Sequence, residues 1–318
     1  MIDWSTLLVP IAVLAALMLF RFVGCGFEGQ AGDVETNDPY DVAVVKDQPV
    51  FYYRLQETGT PGTATDHVQH RDGTYGISPF PLDEPAYLSP QVLVPSIELG
   101  APSIMPKQPN ATSVRFNGAV VAVFGPLPPL PKFTLEALVS PEWDVLNQRG
   151  FFYCVIENSM RTPGQPPSSQ KNAGFALFAG PDDIANPTVS PYCWQLWIGT
   201  GNEFARANPV DGGPGPLVRA EPTYLAVTFG DTEVFLFAHT ANGDLDSEKF
   251  ELIRRPYVPA TETLRIGIAG NAAALIPPFP GPAGFLYPFV GRMAEVAIYN
   301  KALADGRIVS HGMSAFDT

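Results

Sequence analysis

Three cysteines in 318 residues, Cys25, Cys154 and Cys193, are too few for a disulfide framework, and none stands in the close pairs that zinc sites use. Cys154 and Cys193 lie in apolar, aromatic stretches, either as small buried hydrophobes or as one disulfide pair. Basic side chains are also scarce, with 19 Lys and Arg against 32 Asp and Glu and a formal net charge of -13. Such a surface repels polyanions, which excludes a role centred on nucleic acid. Neither a Gly-x-Ser-x-Gly elbow nor a phosphate-cradling loop occurs. The four histidines, His67, His70, His239 and His311, are scattered, and His67 and His70 lack the helix that a metal pair at their spacing needs. What is abundant is Pro (34), Gly (29) and aromatics (11%), which favours many short strands joined by turns over long helices.

One long apolar run stands out, residues 5–24, enough to cross a bilayer as a helix of about 20 residues. The glycine-rich, acidic residues 26–38 after it are those of an exposed linker rather than the continuation of a buried helix. Met1-Ile2-Asp3-Trp4 offers no basic side chain for a cleaved secretory signal. Phe22-Val23-Gly24-Cys25 loosely resembles a bacterial lipoprotein cleavage site, so a retained anchor helix and a lipidated Cys25 both stay open. Arg21 by itself would place the following domain in the cytoplasm, whereas the nature of that domain points to an extracytoplasmic location at the cell membrane. The organisation expected is an anchor or lipoprotein-type signal at 1–25, an acidic linker at 26–40 and one globular domain at 41–318.

Within that domain, segments alternate as half-buried strands do. Phe133, Leu135, Ala137 and Val139 fall on one face and Thr134, Glu136, Leu138 and Ser140 on the other. Residues 50–55, 174–178, 194–198, 224–229, 234–239, 264–268 and 292–299 are strand-like and bounded by turn formers. Phe229-Gly230-Asp231-Thr232-Glu233-Val234 predicts a hairpin turn. Proline density predicts a long extended excursion over 77–110, and a short helix is expected at about 301–311, with Leu303 and Ile308 on one face. No internal repeat divides the chain, so a single all-β domain, a two-sheet antiparallel β-sandwich, is the simplest architecture.

Four stretches carry a family resemblance. Tyr53-Arg54-Leu55 followed by Glu57-Thr58 closes an opening strand; Asp66 precedes Arg71-Asp72-Gly73-Thr74-Tyr75; residues 133–141 form a central strand, with Leu138 where a Trp is common; and Gly291-Arg292-Met293-Ala294-Glu295-Val296 leads through Tyr299-Asn300-Lys301-Ala302-Leu303. In this order they resemble the laminin-G-like (LamG) jelly rolls of the concanavalin-A-like lectin and glucanase superfamily. The resemblance implies a jelly-roll sandwich and an extracellular carbohydrate-binding or cell-adhesion module. It also implies calcium at one rim, with Asp66 and Asp72 as metal ligands, although Ala294 stands where many relatives carry an acid.

For ligand binding, alternation in residues 193–198 puts Trp194, Leu196 and Ile198 on one face and Gln195 with Trp197 on the other. Gln195 and Trp197 are therefore the candidate ligand-facing pair, a Trp face being suited to the apolar C–H side of a sugar, unless insertions cover both faces and Trp197 is core. The Glu-x-Asp-x-x-Glu run of the superfamily's glucanases is missing, and Glu136 is the one acid inside its strand, so catalytic residues are expected to be absent. The function expected is a membrane-tethered, non-catalytic binding or adhesion module recognising glycan or protein surfaces. A structural subunit that self-associates in an envelope or surface assembly, and a glycoside hydrolase-like enzyme of the same fold, are the alternatives.

Overall fold

The computed structural model describes residues 39–77, 96–123, 127–143, 152–161, 172–183, 186, 189–201, 203–207, 215–231, 233–251, 257–261, 263–269 and 287–316. The apolar run at 5–24 and Cys25 lie outside them, and among the described residues no helix is long and apolar enough to cross a membrane. In chain order come helix α1 (Pro39–Lys46) and strands β1 (Phe51–Tyr53), β2 (Thr63–Ala64), β3 (Gly73–Ile77), β4 (Ser96–Pro102), β5 (Thr112–Asn117), β6 (Ala119–Val123) and β7 (Phe133–Pro141). Then follow β8 (Tyr153–Arg161), β9 (Asn172–Pro181), β10 (Tyr192–Gly199), β11 (Phe204–Arg206), β12 (Thr223–Phe229), β13 (Glu233–Thr240), β14 (Leu245–Glu251), β15 (Leu264–Ile266), β16 (Val290–Tyr299) and helix α2 (Asp305–Phe316).

The strands form two antiparallel sheets. Sheet A runs β14-β13-β12-β7-β16-β5-β4, with β1 also on β16, and sheet B runs β11-β10-β9-β8-β15-β6-β3-β2. Their inner faces interdigitate as one core. Phe133, Leu135, Ala137 and Val139 of β7 enter it from sheet A, and Trp194, Leu196 and Ile198 of β10 from sheet B, as their alternation predicts. The expected hairpin is present too, with Phe229 paired to Val234 and Gly230 N–H donating to Glu233 O at 2.9 Å.

The other face of β7 is also buried, because α1 and α2 lie across the outer face of sheet A. Tyr40, Val44, Leu138, Tyr224, Ala226, Phe237, Ile308 and Ala315 make a second apolar layer there. Gly312 lets α2 sit close, since a Cβ on it would fall 2.8 Å from the Tyr224 ring. Thr134 ties the approach to α2 by donating from Oγ1 to Lys301 O and accepting from Leu303 N–H, both at 2.9 Å. The helix consequently begins at Asp305 and runs to Phe316, later than the apolar spacing predicts.

The excursion expected over 77–110 contains an edge strand, β4, which pairs with β5 from Ser96↔Asn117 to Pro102↔Thr112. It escapes sequence reading because it has one partner and is half exposed, so Ser96 and Glu98 need not be apolar. Cys154 and Cys193 are buried free thiols rather than a disulfide pair.

Gly174 has φ +87°, and a Cβ there would lie 1.7 Å from Asn158 O. Gly59 has φ +92° with nothing within 4 Å. Gly174→Ala is expected to cost well over about 2 kcal/mol in chemical denaturation, and Gly59→Ala only the roughly 1–2 kcal/mol of its left-handed backbone.

Candidate functional site

Outside the inner core, side chains gather in three places: the loop around Asp66, the outer face of sheet B, and the interface between sheet A and the helices. At the first, Asp66 is fully buried. Its Oδ1 accepts N–H of Tyr52 (3.0 Å) and Val68 (3.2 Å), and its Oδ2 accepts N–H of Gln69 (3.2 Å) and Arg71 (3.1 Å). Asp72 Oδ1 in turn accepts the N–H of Asp66 at 3.0 Å. Burial raises the Asp66 pKa even against those donors. The two aspartates thus fold the loop between β2 and β3 from within. As arranged, Asp66 accepts four backbone N–H groups, and among the described residues no three His, Cys, Asp or Glu converge on a metal-sized site.

On sheet B the registers align one outward-facing row. Arg206 of β11 pairs with Trp197 of β10, Trp197 with Ala176 of β9, Ala176 with Glu157 of β8, and Glu157 with Arg265 of β15. The row continues through Ala122 of β6 to Thr74 of β3. At ~4.8 Å per strand it spans roughly 30 Å. Arg265 Nη1 reaches Glu157 Oε1 at 3.1 Å, and Arg206 is ion-paired with Asp182.

Trp197 lies on the outward face, as its alternation predicts, but is only 5% exposed. It packs edge-on against Phe152 in an aromatic layer with Phe178, Phe204 and Tyr287. Its Nε1 donates to Gln195 Oε1 at 3.1 Å, and Gln195 Nε2 donates to Gly180 O and Pro181 O. Gln195 and Trp197 therefore stand together, occupied by each other and by β9. The opposite end of the row is the open one, with Arg265 and Ala122 partly exposed and Thr74 exposed.

The third place is a buried ionic layer between sheet A and its helices. Glu136 of β7 sits between two small neighbours, Ala226 and Ala297, and His311 of α2 drops onto it with Nδ1 2.9 Å from Oε1. Asp47, just past α1, receives Arg307 Nε at 2.8 Å and lies 3.1 Å from His311 Nε2. Burial alone would lower the His311 pKa; the hydrogen bond and charge of Glu136, with Asp47, reverse this and raise it above the ordinary value.

Beside it, Tyr52 OH contacts both Asp41 Oδ1 (2.7 Å) and Glu295 Oε2, Arg54 Nη2 meets Asp41 Oδ2 at 2.7 Å, and Gln56 Nε2 donates to Glu295 Oε1 at 2.6 Å. Glu295 reaches this side through a bulge. Met293 points into the core and Ala294 outward, and simple alternation would return Glu295 to the core. Instead Glu295 takes φ +55°, its N–H donates to Arg54 O at 3.0 Å, and the strand resumes with Val296 inward. Burial, then the charge of Asp41, outweigh Arg54, Tyr52 and Gln56 and push the Glu295 pKa up to about 8. Strict alternation hides this cluster from a sequence reading. Its signals were Arg54 and Glu295, both inside the quoted motifs.

Fold and site together define an all-β, two-sheet antiparallel sandwich with one outer face closed by helices and the other carrying a mixed aromatic and charged row. No protein-family model and no curated protein matches the chain. Among solved structures it is similar to domain 4 of AbnA, a GH43 extracellular arabinanase from Geobacillus stearothermophilus, in complex with arabinotriose, at 12% identity and TM-score 0.45, covering 83% of this chain and 98% of that one. It is similar as well to the CBM40 of the Ruminococcus gnavus IT-sialidase bound to alpha2,3 sialyllactose, at 11% identity and TM-score 0.38, covering 58% of this chain and 83% of that one. A third is the Trypanosoma rangeli sialidase with the inhibitor DANA, at 12% identity and TM-score 0.40, covering 84% of this chain but 32% of that one.

Two outcomes follow from the buried groups. Removing one member of the Glu136–His311 pair strands the other, so His311→Leu is expected to cost about 3–5 kcal/mol in urea denaturation, and the Glu136→Leu/His311→Leu double variant clearly less. Burial raises the Cys154 pKa and pushes that of Cys193 up to about 12, so mass mapping after a neutral thiol reagent is expected to find neither modified until the sandwich unfolds.

Proposed function

We propose that the chain is a membrane-tethered, extracytoplasmic and non-catalytic binding module of the laminin-G-like kind, which receives a glycan along the outer face of sheet B. The observation that carries this reading is the cross-strand row from Arg206 to Thr74. It presents the Arg265 guanidinium and the Thr74 hydroxyl toward solvent, groups that pair with sugar hydroxyls, backed by the buried Glu157 and Trp197. Its open end, three strands wide or roughly 10 Å, suits one or two sugar units. Its accessible part is the Arg265–Ala122–Thr74 end, where binding would begin; the Gln195–Trp197 pair is the firm end against which that surface is held. The other outer face is taken by α1 and α2.

Binding is favoured over hydrolysis because Glu157 is the one carboxylate in the row and is engaged by Arg265, whereas glycoside cleavage of the usual kind needs two facing acids. Glu136, the acid inside its strand, is fully buried beneath α2 and pairs with His311. The tether rests on the apolar run at 5–24 alone.

A glycan array probed with the full chain tests the reading. Specific binding is expected, weakened about tenfold or more by Thr74→Trp at the open end of the row and unchanged by Val42→Ser on exposed α1 surface. Binding indifferent to Thr74→Trp would move the ligand elsewhere. Release of reducing ends that is abolished by Glu157→Gln would make the protein an enzyme.

A further inference from the structure

Tyr52 OH has one hydrogen, yet its oxygen touches two carboxyl groups, Asp41 Oδ1 at 2.7 Å and Glu295 Oε2. With both carboxyls ionised, one contact would set oxygen against oxygen with no proton between them. One of the two must therefore carry a hydrogen, and the geometry says which. Arg54 meets Asp41 at 2.7 Å but Glu295 only at 3.6 Å, so Asp41 is the charge partner of the guanidinium. Glu295 Oε1 accepts from Gln56, which leaves Oε2 to hold the hydrogen. The chain that satisfies every atom runs from Glu295 O–H to the phenol oxygen, and from the phenol O–H to Asp41.

We infer that this chain is a proton-dependent latch: with Glu295 protonated it fastens α1 to β1 and β16, and loss of that proton frees α1 from the sandwich. Asp41 is the member that α1 contributes, and Tyr40 beside it is fully buried, so the helix docks through both. Ionising Glu295 places a second negative charge across the phenol from Asp41, with Arg54 the nearest cation and α1 the part free to leave. The groups that face Glu295 are Asp41 from α1 and Tyr52, Arg54 and Gln56 from β1 and the residues after it; Tyr40 of α1 feels its charge together with those of Glu136 and Tyr299. His67 lies 6.3 Å from the Tyr52 ring, and burial and then Arg54 lower its pKa, which disfavours its charged form.

The sign follows from linkage. The folded Glu295 holds its proton up to about pH 8 while the unfolded carboxyl loses it near its ordinary value of 4.5, so docking weakens as pH rises between these values and is lost beyond the upper one. At the other end of α1, Asp47 faces both Arg307 and His311: the Arg307 tie persists at all these pH values, while the His311 contribution, raised by Glu136 and Asp47 against burial and Arg307, is present in the acid range and fades as pH rises through the folded value. Releasing α1 would uncover the aromatic surface of Tyr52, Tyr224 and Phe237.

Hydrogen exchange on the full chain, corrected for the intrinsic pH dependence of exchange, tests the latch. Protection of residues 39–46 is expected to fall by up to about tenfold per pH unit as pH rises from the ordinary carboxyl range to the Glu295 midpoint, and to level off above it, while β7 and β12 stay protected. Glu295→Gln, which can donate to Tyr52 without ionising, is expected to keep α1 protected in alkali. Should that variant fail to fold, Tyr52→Phe is expected to lower α1 protection in acid and to flatten its pH dependence. Infrared spectroscopy of the unaltered chain is expected to find a protonated carboxyl at neutral pH that vanishes in alkali. Protection of α1 that ignores pH, an equal alkaline loss in Glu295→Gln, or simultaneous opening of α1 and the core strands would each overturn the inference.

Discussion

The structure turns on one strand, β16, and on the left-handed residue inside it. Along one edge β16 follows β7 from Pro141 to Thr134; along the other it meets β5 over its first half and β1 over its second. Two partners of different origin can share one edge only where the ladder breaks, and the bulge at Glu295 supplies the break. A non-glycine residue at φ +55° is unfavourable by itself. It is held by the N–H bond to Arg54 O and by the hydrogen-bonded chain its side chain enters, so backbone strain and buried charge sustain each other at one point.

From that point the two outer faces of the sandwich diverge. Sheet A carries tyrosines, alanines and acids on its outer side, and the alanines leave the depth that α2 and the His311 ring occupy. Its acids are met by Arg54, His311 and Arg307. Sheet B carries a longer row whose two ion pairs are comparably shielded and whose far end reaches solvent at Thr74. The closed face suits holding the chain's own helices. The open end of the other suits an outside ligand.

The strands were legible where each face has a distinct environment. In β7 and β10 the inward residues match the alternation residue for residue, because a period of two cannot slip without exchanging the faces. Reading failed where the rule has no purchase. Edge strand β4 has a single partner and no need of apolar alternation, and α2 starts late because Thr134, a residue far off in sequence, holds the turn before it. Of the site residues, Trp197 and Gln195 were found on the correct face by alternation, but their mutual hydrogen bond and their burial depend on Phe152, Tyr287 and β9. Asp66 was visible as a motif residue, yet only the fold reveals that four backbone N–H groups converge on it.

By itself the sequence determined the all-β class, the inward faces of the main strands and the apolar run ahead of them, since each depends on local spacing and composition. Tertiary structure alone decided the row on sheet B and the latch on sheet A. The row is a product of register, which sets Arg206, Trp197, Glu157 and Arg265 side by side although they come from four strands. The latch needs Asp41, Tyr52 and Glu295 within hydrogen-bond reach, and the energy of a buried proton depends on those neighbours rather than on the residue that holds it.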